Sequence, residues 1–209
     1  SATRQQQYQR LLWANVITAW GMLIAFAIQG YGAVAITFAT ISIAIAALFT
    51  AKFFKDLQRP HAIRQPLWFK AALIFNLLSA LGTFGLAFMM LTRHIPQHSY
   101  LAAVYWFLHF QYNGWFFFGC MGLMTQYLHK HTGVTWPPAV FWWFAAACTP
   151  AYGLSILWIP MTWPFYLLVV GAAFAQIIGW IQLLVFYKKN KLGAQLPFNN
   201  SSHFLLLFV

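Results

Sequence analysis

The chain has 209 residues, of which 62% are apolar, 20% aromatic and 6% charged, with a formal net charge of +11. A soluble domain of this composition would expose far too much apolar surface. A nucleic-acid-binding module would collect its basic residues on one soluble face, whereas here they are scattered over short segments. Both classes are excluded, and the lipid bilayer is the first partner that the composition implies.

Six apolar runs follow in order, at 11–29, 31–51, 67–91, 100–128, 138–159 and 163–187. Each reaches the roughly 20 residues that a helix needs to cross hydrocarbon. The predicted fold is all-α, a polytopic membrane helical bundle. Residues 1–191 form a six-helix membrane domain, and 192–209 a polar, then apolar, tail that ends HFLLLFV, too short to span.

The gaps fix the orientation. Arg4 and Arg10 precede the first run. Gln29-Gly30-Tyr31-Gly32 then reads as a tight outer turn. The longest loop, 52–66, carries Lys52, Lys55, Arg59, Arg64 and Asp56, the only acidic residue, with Lys70 just inside the third run. Gap 92–99 holds Arg93, His94 and His98. Gap 129–137 holds His129, Lys130 and His131. Gap 158–164 holds Trp158 and Trp163, placed as an aromatic belt, and Lys188, Lys189 and Lys191 follow the sixth run. Eleven Lys and Arg thus fall on one side and Arg93 alone on the other. Cytoplasmic loops are enriched in Lys and Arg, so both termini and the tail are expected in the cytoplasm. The chain opens SATRQQQYQR, without a signal-peptide pattern and without Met. Either its terminus is processed or the chain is a piece of something longer.

Polar residues inside spans are the places to look for function, because each needs a partner away from water. Asn76, Ser79 and Thr83 share a face of the third run, as expected of helix–helix hydrogen bonding. Pro150 and Gly153 mark a kink in the fifth run. Gly171, Ala175 and Gly179 form a small-residue packing seam in the sixth, with Gln176 and Gln182 nearby. Cys120 and Cys148 lie inside spans without metal-type spacing and read as packing residues.

The fourth run is different. His109 is the only histidine well inside a span. It lies about 14 Å along the helix from Tyr100. On a regular α-helix, Tyr105, His109, Tyr112, Asn113 and Phe116 form one stripe. Two readings of His109 stay open: a ligand for haem iron or copper, or a histidine hydrogen-bonded to a neighbouring helix.

His109-Phe-Gln-Tyr-Asn-Gly114-Trp115 resembles the histidine–Gly-Trp helices of small membrane proteins related to haem-copper oxidase subunit I. Segments 13–34, 67–84 and 104–123 are similar to the C-terminal half of a larger family of bacterial membrane proteins, especially from Bacteroidetes. The resemblance covers the chain to about residue 187 and carries the motif onto His109, Gly114 and Trp115. It implies a multi-pass protein of the bacterial inner (cytoplasmic) membrane. It also implies a haem b or copper cofactor at His109, with Tyr112, Asn113, Gly114 and Trp115 around it, and an oxidoreductase or electron-transfer role. The family's earlier histidine-rich helix has no counterpart here, so further ligands are expected from another chain or from a missing N-terminal half.

No other histidine and no carboxylate lies in any predicted span. Bis-histidine haem within one chain and a proton path of the Asp/Glu kind are both disfavoured. Two functions therefore remain: a haem- or metal-binding oxidase-like component, or a non-catalytic membrane subunit or transporter-like bundle whose polar residues serve packing.

Overall fold

The computed structural model describes residues 2–30, 32–57, 63 and 65–192, and among them the regular structure is helical, with no strand. The helices are α1 (Ala2–Gln29), α2 (Ala33–Leu57), α3 (Leu67–Thr92), α4 (Gln97–His109), α5 (Phe117–Thr132), α6 (Pro138–Ala151) and α7 (Trp163–Lys189). Five stretches are long and apolar enough to cross a membrane: Arg4–Gln29, Ala33–Leu57, Leu67–Thr92, Pro138–Ile156 and Trp163–Lys189. This is the architecture of a multi-pass integral membrane protein. The fourth predicted run is not one regular helix. A π-helical segment, Phe110–Phe116, joins α4 to α5. All of the predicted tail except Leu192 lies outside the described residues.

The longest loop is shorter than the sequence suggests. Helix α2 runs on to Leu57, so Lys52, Lys55 and Asp56 stand on its last turns rather than in a loop. The turn between α1 and α2 forms where expected, with Gly30 at φ 62°, a conformation open to glycine at little steric expense. Pro150 falls in the last turn of α6, after which the chain tightens into a 3₁₀ turn at Tyr152–Ile156. That is the kink expected in the fifth run.

The chain divides into two compact units, Ser1–Ala62 with Leu73–Trp115, and Ile63–Ala72 with Phe116–Val209. In the first, α1 and α2 pair antiparallel. Gly21 admits the Phe38 ring, and at the other end Tyr8 meets Phe49 and Phe53 edge-on, at 5.7 and 6.5 Å. Only 11% of the apolar window of either helix is buried, against 39% for α3. Trp13, Trp20, Leu23 and Ile28 are all exposed, as suits side chains facing lipid. Helices α3 and α4 also run antiparallel. Gly82 lies against the Ala103 carbonyl, where an added Cβ would approach to 2.6 Å. The Trp106 indole donates to the Leu78 carbonyl at 2.9 Å, and Phe75 stacks on Phe110 at 5.8 Å.

The second unit is built on aromatic packing. Trp68 sits between Phe118 and Phe141, at 5.6 and 5.1 Å, and Phe117, Phe144 and Trp180 form a triangle with sides of 4.9 to 6.0 Å. Gln65 stitches two buried tryptophans. Its amide nitrogen donates to the Trp136 carbonyl at 2.6 Å, and its oxygen accepts from the Trp68 indole at 3.2 Å.

The small-residue seam of α7 is real but shifted. Ala172 clusters with Ala147 and Ala151 of α6, with Ala175 packed against them. At Gly179 an added Cβ would meet the Phe144 ring at 3.1 Å and Trp143 at 3.3 Å. Gly171 is exposed, with nothing within 4 Å of such an atom. The seam is therefore Ala172, Ala175 and Gly179. Gly179→Leu should lower the stability of the detergent-solubilised protein by about 1–3 kcal/mol, the usual penalty of overpacking. Gly171→Leu should stay within about 0.5 kcal/mol of wild type. Thermal melts of the two variants check the assignment, and equal losses would contradict it.

Candidate functional site

The π-helical segment falls on the residues that the sequence singles out. Its wider turn changes what each side chain meets. Phe110, Gly114 and Phe118, spaced by four, are all buried, a spacing that an α-helix of 3.6 residues per turn holds on one face less well. The stripe drawn on a regular α-helix is consequently split. His109 is 6% exposed, whereas Tyr112 and Phe116 are 64% and 58% exposed.

Each predicted site residue has a definite place. His109 Nδ1 lies 3.3 Å from the Asn113 amide nitrogen, and its ring meets Phe110 edge-on at 5.1 Å. Gly114 is filled from α3, where a Cβ on it would meet the Phe75 Cβ at 2.5 Å. Its missing side chain makes room for Phe75. Tyr112 and Trp115 stand on the exposed surface. The structure thus brings His109 and Asn113 together, turns Gly114 toward α3, and leaves Tyr112 and Trp115 outside.

His109 is the one imidazole among these residues. An imidazole ligand needs an open side for the metal and a further partner that orients the ring. His109 has Asn113 beside one nitrogen and is almost closed off. Among the described residues no three His, Cys, Asp or Glu side chains gather as a metal-binding group.

The residue that sequence reasoning missed is Gln111. Its amide nitrogen donates to Asn76 Oδ1 at 3.0 Å and to Ser79 Oγ at 2.7 Å, and the Ser79 hydroxyl donates on to the Asn76 carbonyl at 2.6 Å. Ser79 is 1% exposed. Asn76 and Ser79 therefore do bond a neighbouring helix, as their shared face suggests, and Gln111 is the partner. The available signal was a glutamine in the middle of an apolar run. It lies off the α-helical stripe that runs through His109. Thr83 takes no part in this cluster and lines a small apolar cleft of about 30 Å³ with Phe26, Ile36 and Phe84.

A second polar cluster closes the charged end of the α1–α2 hairpin. Tyr8 donates to Asp56 Oδ2 at 2.7 Å, and Arg4 Nε stands 3.9 Å from Asp56 Oδ1. Lys52 reaches Gln7 and lies 5.2 Å over the Tyr8 ring. The sole acidic side chain of the chain thus lies between Tyr8 and Arg4.

Gln111→Leu and Asn76→Ala should each destabilise the solubilised protein by about 1–2 kcal/mol, the scale of interhelical hydrogen bonds in membranes. The double variant should lose clearly less than the sum, because both changes remove the same bond. Additive losses in a thermal or denaturant cycle would contradict a Gln111–Asn76 bond. Comparison of the chain with protein-family models, with curated proteins and with solved structures finds no match.

Proposed function

We propose that the protein is a six-span, non-catalytic subunit of a bacterial cytoplasmic membrane, with both termini in the cytoplasm, whose intramembrane polar side chains hold its helices together. The observation that carries this reading is the Gln111 amide engaged by Asn76 and Ser79 across α3 and the π-helical segment. A polar group in hydrocarbon needs a partner, and α3 of the same chain supplies it for the Gln111 nitrogen. The orientation is supported by the hairpin that gathers Arg4, Lys52 and Asp56 at one end, in line with the eleven-to-one distribution of Lys and Arg.

Orientation has a direct test. With Cys120 and Cys148 replaced by alanine, single cysteines at Pro96 and Met161 should react with an impermeant reagent added to intact cells. Labelling only after permeabilisation would reverse the assignment.

A second reading has one observation in its favour. π-Helical turns recur at functional sites, and this one begins directly after His109. It makes His109 an axial ligand of haem b or copper, completed by ligands from another chain or a missing N-terminal half. The two readings part on the absorption spectrum. The subunit reading expects no Soret band in protein purified from haem-replete cells, and a lower melting temperature for His109→Ala. A Soret band that disappears in His109→Ala would establish the cofactor reading instead.

A further inference from the structure

The exposed side of the π-helical segment is unusual for its depth. The fourth apolar run, 100–128, has its centre at residue 114, so Tyr112 and Trp115 straddle the middle of that span. Tyrosine and tryptophan ordinarily sit at the two membrane interfaces, where their polar tips reach water or headgroups. With a hydrocarbon core of about 30 Å, groups at the middle lie about 15 Å from either interface. Yet Tyr112 is 64% exposed and Trp115 43%, and neither hydroxyl nor indole nitrogen has a hydrogen-bond partner among the described residues. Lipid tails provide no acceptor for these donors. On the same turn, Gln111 is partly buried, and with its nitrogen given to Asn76 and Ser79, no hydrogen bond from the described residues reaches its oxygen.

One turn of helix thus presents two unpaired donors and one unpaired acceptor. The patch is self-complementary, which is the requirement for a two-fold interface in which each copy gives what the other takes. Depth selects the same occupant. A second copy in the same bilayer, related by a two-fold axis along the membrane normal, brings its own Gln111 oxygen to the level of Tyr112 and Trp115. Interhelical polar contacts of this kind hold membrane helices together.

We propose that this turn is the contact surface of a homodimer, with Tyr112 and Trp115 of each copy donating toward the Gln111 side-chain oxygen of the other. The proposal rests on the six-span subunit reading, because only a membrane-embedded turn leaves these donors without water. Leu108, one turn before Tyr112 and also exposed, lies beside the contact.

The test uses the full chain in lipid. Two differently tagged copies should co-purify from co-expressing cells, and the mass in nanodiscs should be that of two chains. Leu108→Cys, in a background of Cys120→Ala and Cys148→Ala, should give a disulfide-linked dimer when native membranes are oxidised. Tyr112→Phe with Trp115→Phe should weaken association about tenfold or more, two intramembrane hydrogen bonds per copy being lost. Both side chains are exposed, so the helical circular dichroism of that variant should match wild type. A single-chain mass with no cross-link at position 108 overturns the proposal, as does a dimer whose association is unchanged in the double variant. Failure of the orientation itself would show in the Pro96 and Met161 labelling, which does not depend on dimerisation.

Discussion

Inside hydrocarbon a polar side chain cannot turn to water, and in this protein that constraint falls most heavily on the middle of the fourth apolar run. The response is the bond from Gln111 to Asn76 and Ser79. It ties the π-helical segment to α3 at about 14 Å from the start of α3, by helix rise, between the contacts of Trp106 with Leu78 and of Gly114 with Phe75. Hydrogen bond, aromatic stack and glycine contact fall in one antiparallel register, so the amide nitrogen is satisfied by the same approach that packs the apolar groups. The wide turn is the device that allows it. It directs Gln111 and Gly114 toward α3 while His109 remains covered and Tyr112 and Trp115 face outward.

Elsewhere the spans follow simpler rules. Helices α1 and α2 present most of their apolar surface outward and concentrate their specificity at one end, where Asp56 is held by Tyr8 and Arg4. Helices α6 and α7 use small residues and aromatic rings, with Gly179 against Phe144 and alanines meeting alanines. Three ways of joining helices, by an ion cluster at an interface, by small residues, and by a buried amide, therefore occur in one chain. Only the amide depends on a departure from regular α-helix.

Much of the architecture was legible in the sequence because apolar run length and charge placement are coarse, additive signals. Among the described residues each of the six runs is largely helical, five of them holding a stretch long and apolar enough to cross a membrane, and the Pro150 kink falls where proline requires it. The end of α2 is hidden in the sequence because Lys52, Lys55 and Asp56 look like loop residues, whereas a helix that leaves the membrane simply continues with charged side chains. The site was less legible. A stripe drawn at 3.6 residues per turn joins His109 to Tyr112 and Phe116, and one widened turn separates them. No pattern of residue types announces such a turn, in which both Phe110 and Gly114 lie against Phe75. Gln111 is hidden for the same reason, although Asn76 and Ser79 mark the face on which its partners lie.

The central claim is that the Gln111 side chain is bonded within the bundle, and its amide protons report on that bond directly. In protein labelled with nitrogen-15 at glutamine, one side-chain NH₂ pair should shift on Ser79→Ala and should be protected from exchange with D₂O in wild type. A Gln111 pair, identified by its loss in Gln111→Leu, that exchanges like a free amide and ignores the Ser79 change would contradict the account.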